Sequence, residues 1–167
     1  MRETAADLER LQALLDSSIE RAGPFLRSSF EMPEHSLSAA QLATHLRGSR
    51  TVALGTVTAR GEPRVAPIAA LFVRGSFHLP TVSESARARH LSRRPAASLT
   101  YYEGTDLAVV AHGRAVIIDA DHPDFEELDT VQIEAGNESV QSWQGHGVYL
   151  RLEPDVVYTF ARYPDRF

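Results

Sequence analysis

From residue 51 the chain carries short apolar, β-branched stretches in quick succession, and the helix-like segments among them do not alternate regularly with them. Residues 51–58 (TVALGTVT) read as one strand, and RGEP at 60–63 reads as the turn after it. Residues 64–73 (RVAPIAALFV) are apolar on both parities, which predicts a central strand buried on two sides. Further strands are expected over 77–82, 97–102 and 107–119, with Gly113 marking a bend or bulge in the last. One or two strands around Pro154 close the chain over 147–162. Irregular insertion of helices argues against a doubly wound parallel sheet. It predicts a mainly β (α+β) fold, an antiparallel barrel with helices at its ends.

The first 47 residues carry a different period. Leu8, Leu11, Leu14, Leu15 and Ile19 recur at three- and four-residue steps, one face of a helix over 4–27 that Gly23-Pro24 breaks or bends. Ser38 with Gln41 three residues on is a capping-box pattern for a second helix, through Leu42 and Leu46 and ending near Gly48. Helices are also expected over 83–94 and over 121–135, the latter capped by Asp121. With no repeat or linker in the 167 residues, one domain is expected over 1–167, a helical extension at 1–47 and a barrel at 48–167.

Composition narrows the chemistry. The 17 basic residues are all arginine, and the net charge is −5. Without lysine or cysteine there is no Schiff-base lysine, thiolate nucleophile, disulfide or cysteine-ligated metal. The acidic balance argues against nucleic acid as a partner. No apolar run approaches the roughly 20 residues that span a bilayer, so no membrane partner is expected. MRETAADLER has no apolar signal region, and a cytoplasmic location is expected. The seven histidines show no HxH or HExxH spacing, so no metal is expected. Among them, His78 and His112 fall on expected strands.

Two stretches carry candidate chemistry. In FHLPTVSESARARHLSRRPAASL (77–99), a strand through Leu79, Pro80 and Thr81 runs into serines and then a helix bearing Arg87, Arg89, Arg93 and Arg94. A helix start with hydroxyls and guanidinium forks suits a phosphate. The same arginines also suit a solvated helix face, although only Glu84 offsets them and like charges at i, i+4 repel. In the second stretch, Pro67 cannot donate to a ladder, so it marks an edge, a bulge or an opening in its strand.

Strand, ARGEP turn, apolar strand, SARARHLSRRPAASL and a strand ending in AHGRAVIID, in that order, resemble the pyridoxamine 5′-phosphate oxidase-like split β-barrel flavoproteins. The likeness is nearer to their flavin- and deazaflavin-dependent reductase branch than to the true oxidase. It covers about Ser49 to Asp119 and, more loosely, the final strand. It implies a homodimer with cofactor sites between subunits and a small-molecule substrate. By resemblance, Arg87 takes the place of a phosphate-binding lysine, Arg89 that of a second basic residue, and Ser85 that of a phosphate-contacting hydroxyl. The strand Arg64, Val65, Ala66, Pro67 and Ile68 would run beside the ring, with Leu79, Pro80 and Thr81 lining the same pocket. The implied cofactor is FMN or coenzyme F420, and the SARARHLSRRP segment favours F420. The implied activity is hydride transfer to or from a small organic substrate, and the alternative is a non-catalytic carrier or sensor of flavin or haem. His90 stands where many relatives carry asparagine, and the substrate-binding Arg/His pattern of the true oxidase is not recognisable. Tyr149, Tyr158 and His78 are the proton-donor candidates; no catalytic residue is assigned.

Overall fold

In the computed structural model, which describes residues 3–144 and 146–167, the apolar stretches form six antiparallel strands. They are β1 (Ser49–Val57), β2 (Pro63–Val73), β3 (Ser76–Val82), β4 (Ala96–Glu103), β5 (Leu107–Ile118) and β6 (Gly147–Ala161). They close into a barrel in the order β1-β2-β3-β6-β5-β4. The inward residues follow the two-residue period of a strand, as in Val52 and Leu54 of β1 or Leu107, Val109 and Ala111 of β5, all buried. The closing segment is one strand, not two.

The helices form where capping chemistry places them. Helix α1 (Ala5–Arg21) starts at a Thr4–Asp7 capping box, and α2 (Pro24–Ser29) begins on Pro24, where the missing N–H costs nothing. Helix α3 (Ala39–His45) has the expected Ser38–Gln41 box, and Ser85 caps α4 (Ala86–Arg93). The apolar faces of α1 and α3 put Leu11, Leu15, Leu42 and Leu46 into the same core as the barrel. Helix α5 (Phe125–Glu134) corrects the sequence reading: its N-cap is Asp124, not Asp121, and that side chain makes no capping bond. Pro123 explains the delay, because it disfavours helical backbone at His122.

The largest departure lies in β2. Its far half (68–73) is largely buried as expected, but Pro63, Arg64, Val65 and Pro67 are exposed. The cause is topological. β2 pairs with β3 only at Leu71, Phe72 and Val73, whereas its ladder with β1 runs from Pro63 to Leu71. Residues 64–70 therefore have a strand neighbour on one side only. Pro67, opposite Ala53, lies in this open stretch, where a missing N–H breaks no ladder bond to β3.

The register of β5 against β6 shifts between His112 and Gly113, and the extra residue is on β6, beside Pro154. A Cβ at Gly113 would sit 2.1 Å from the Glu153 carbonyl oxygen and 2.7 Å from the Pro154 Cα. Replacing Gly113 by alanine should cost about 1–3 kcal/mol through forced backbone movement. Denaturant unfolding would show it as a lower midpoint at unchanged slope.

A second apolar cluster outside the barrel joins Phe125 and Leu128 of α5 to Leu71, Val140 and Tyr149, with Trp143 packed against it. Asp129 ties it together. Its carboxylate accepts from the Ser139 hydroxyl (2.6 Å), the Val140 N–H (2.9 Å), the Tyr149 hydroxyl (3.0 Å) and the Gln141 amide (3.2 Å). Burial pushes the Asp129 carboxyl up, but these bonds, Ser139 foremost, outweigh it and hold the group below the ordinary range. A lowered folded-state pKa stabilises the fold above the unfolded value and loses that stability as pH falls through the folded value. Asp129→Asn should therefore lose about 1.5–3 kcal/mol at neutral pH. Below pH 3.8, the ordinary aspartate value, its deficit should shrink, as urea unfolding across pH would measure.

Candidate functional site

Where β2 runs without β3, the space beside it is closed by α4. The resulting cavity, about 410 Å³, is lined by Leu54, Thr56 and Thr58 of the β1 side, Arg64, Val65 and Ala66 of β2, and Ala86, Arg87 and His90 of α4. Each contribution has a local origin. Leu54, Thr56 and Thr58 share a face because strand side chains repeat every two residues. Arg87 and His90 are three apart on a helix and point the same way. Val65 is 73% exposed, an apolar side chain beside the cavity with no cover from its own chain. The Arg64 guanidinium donates to Glu62 at 2.8 Å.

The walls are apolar at Leu54, Val65 and Ala66. Cationic groups stand at Arg64 and Arg87, and no carboxylate lines the cavity among the described residues. His90 is anchored through Nδ1, 3.0 Å from the hydroxyl of the buried Thr56. Such a site can take a flat apolar body along the strand and an anionic group at the helix. The donor set and the apolar wall fit a phosphate-bearing ring cofactor.

A neighbouring cavity of about 280 Å³ shares His90 and is lined by Val57, Ala59, Arg89, Arg93 and Arg94, again with no carboxylate among the described residues. Arg89 donates to the Glu84 carbonyl at 2.8 Å, and Arg94 donates to the Thr58 carbonyl. These bonds hold both guanidinium groups beside the α4 helix.

The structure thus gathers Arg64, Val65, Ala66 and Arg87 around one cavity and puts Arg89 in the next. The other candidates lie elsewhere. Ile68 turns into the barrel at 6% exposure, and Pro67 is exposed outside the cavity lining. Leu79, Pro80 and Thr81 are buried in the β3–β6 ladder opposite Leu150, Tyr149 and Val148. The Ser85 hydroxyl is committed to capping, accepting from the Ala88 N–H at 3.2 Å and from the Thr81 hydroxyl at 3.2 Å. None of Tyr149, Tyr158 and His78 lines the cavity, and the buried Tyr149 hydroxyl is spent on Asp129. Sequence reasoning passed over Leu54, Thr56 and Thr58, whose signal was the two-residue period of the strand ending in TVT. It noted His90 without seeing that a helical turn aligns it with Arg87.

Among the described residues no helix is long and apolar enough to cross a membrane, and no cluster of His, Asp and Glu is placed to hold a metal. A comparison with curated proteins gives no match. Solved structures share the fold at low identity. A conserved hypothetical protein of Mycobacterium tuberculosis is 21% identical, with 81% of this chain and 91% of that one covered and a TM-score of 0.66. A pyridoxamine 5′-phosphate oxidase-related, FMN-binding protein of Nostoc punctiforme is 17% identical, over 67% of this chain and 74% of that one, with a TM-score of 0.50. An F420 reductase is 14% identical, over 67% and 90%, with a TM-score of 0.54. The sequence model of the pyridoxamine 5′-phosphate oxidase family matches residues 38–161, from the cap of α3 to the end of β6. The cavity-bearing barrel and that match over most of its length place the chain in the pyridoxamine 5′-phosphate oxidase family.

Proposed function

We propose that the protein is a flavin- or deazaflavin-dependent oxidoreductase that moves a hydride between its cofactor and a small organic substrate. The observation that carries this reading is the cavity where Arg87 faces the open half of β2 across an apolar wall. A bound flavin or deazaflavin supplies the hydride chemistry. The chain's own residues bind and orient it. Arg87 offers a guanidinium fork to the phosphate, and Thr56 holds the His90 ring beside it. Val65 and Ala66 present an apolar strand surface along which the ring lies, excluding water from one face.

Between cofactors, the geometry favours coenzyme F420 over FMN. The cavity continuing past His90 is bordered by Arg89, Arg93 and Arg94 without an opposing carboxylate, which suits a longer anionic tail than a single phosphate. Pyridoxine phosphate oxidation is not favoured. Near the C-terminus Arg162 pairs with Asp106 at 3.1 Å and Arg166 stacks 4.1 Å over the Tyr163 ring, and the substrate-binding Arg/His pattern of the true oxidase is not recognisable there.

We read the chain as one domain working as a homodimer. The uncovered Val65 and the 63% exposed Tyr102 are large apolar groups that a second copy would cover, completing the open side of the site. Sedimentation velocity should give the dimer mass; a monomer that binds cofactor at full strength would refute the shared site.

Fluorescence titration of the purified protein with FMN and with F420 tests the central reading. F420 should bind more tightly. Arg87→Ala should weaken binding about 10- to 100-fold, the loss of one charge-assisted hydrogen bond. An unchanged midpoint in that variant would remove Arg87 from the phosphate site. Tight binding without turnover against a broad substrate panel would instead identify a carrier or sensor.

A further inference from the structure

At the end of β3 remote from α4 lies a second cavity of about 390 Å³, bounded by α1, the β2–β3 turn, α5 and β6. Its mouth carries three guanidinium groups, Arg10, Arg74 and Arg151, and three carboxylates, Asp124, Glu127 and Glu153. Most of these are already interlocked. Arg151 donates to Asp124 at 2.8 Å and to Glu153 at 3.0 Å, while Arg74 donates to Glu127 at 2.5 Å. Arg10 is bound through one nitrogen to Asp7, and its side chain is 70% exposed, leaving further N–H groups free. Val73 and Leu128 supply apolar wall.

The floor holds the unusual group. His78 is 5% exposed and lines this cavity. Its Nδ1 lies 3.2 Å from the Ser76 carbonyl, an oxygen that can only accept, so Nδ1 carries the proton. Nε2 is then a lone-pair acceptor, and no protein donor meets it among the described residues. It is not sealed in the core either, since among the described residues the buried side-chain polar atoms left without partners are those of Ser36, Arg50 and Gln132. Burial, and next the Arg151 charge, push the imidazole pKa down to about 4, so the ring is neutral at physiological pH.

An ion of one sign would meet as many repelling as attracting groups here. A ligand carrying both signs is attracted by both sets, and a donor on it meets the accessible Nε2 acceptor. We infer that this cavity binds a small zwitterion of the α-amino acid class, its ammonium donating to His78 Nε2 and its carboxylate held by Arg10 and Arg74 at the mouth. The volume is in the range of small-molecule sites. Arg151 acts against a cation at His78, and the Asp124 carboxylate, 2.8 Å from the same guanidinium, acts for it. The inference stands apart from the cofactor reading, because the two cavities share no residue.

The test is nuclear magnetic resonance on the full chain, following the His78 imidazole nitrogens and the Leu128 and Val73 methyls. Each proteinogenic α-amino acid is titrated, with the matching carboxylic acid lacking the amine and the matching amine lacking the acid as controls. At least one amino acid should shift these signals saturably while its two controls do not. Arg74→Ala, a change at a half-exposed side chain, should raise the midpoint about tenfold. His78→Phe should abolish the shifts of Leu128 and Val73; if that variant does not fold, Arg10→Ala replaces it and should weaken binding as Arg74→Ala does. The inference is overturned if no amino acid produces a saturable shift, if a one-charge control binds as well, or if Arg74→Ala leaves the midpoint unchanged.

Discussion

The brevity of the β2–β3 pairing governs what this barrel can do. Three residue pairs, Leu71 with His78, Phe72 with Phe77 and Val73 with Ser76, hold the two strands before they part. Beyond that point β3 is carried by β6 and β2 by β1, so the barrel closes at one end and opens along one wall at the other. Unpaired strand edges are costly unless covered. Here α4, entering directly after β3, comes to lie beside the opening and brings Arg87 and His90 with it.

The same geometry separates a packed side from an open one. The β3–β6 ladder and the Asp129 hub fill the closed side with satisfied hydrogen bonds and packed aliphatic groups. The open side keeps guanidinium groups, an uncovered valine and a threonine–histidine pair at a cavity wall. Polar groups that are already spent, as the Ser85 hydroxyl is on its helix cap, are poor ligand contacts; those with unspent donors are good ones.

Much of the fold was legible in the chain because each element carries its own local signal. The Thr4–Asp7 and Ser38–Gln41 boxes start helices α1 and α3, and Gly113 sits at the bulge because nothing larger clears the Glu153 carbonyl. The misreadings are also local in origin. The 64–73 run is apolar on both faces, and hydrophobicity cannot distinguish a residue facing a core from one facing a cavity or a partner. That is why Arg64 to Pro67 were expected in a buried strand. Asp121 matched a capping pattern whose onset Pro123 then postponed.

By itself the sequence determined the order of strands and helices, the absence of thiol and lysine chemistry, and the basic segment after β3. These follow from period, capping and side-chain identity, which act over a few residues. Only the tertiary structure decided which of the candidates meet. Arg64, Val65, Ala66 and Arg87 share a cavity while Leu79, Pro80 and Thr81 do not, because register and strand order across the barrel choose the face each residue presents. The same long-range pairing placed His78 at the floor of a second cavity, among charges drawn from α1, α5 and β6 that no local pattern connects.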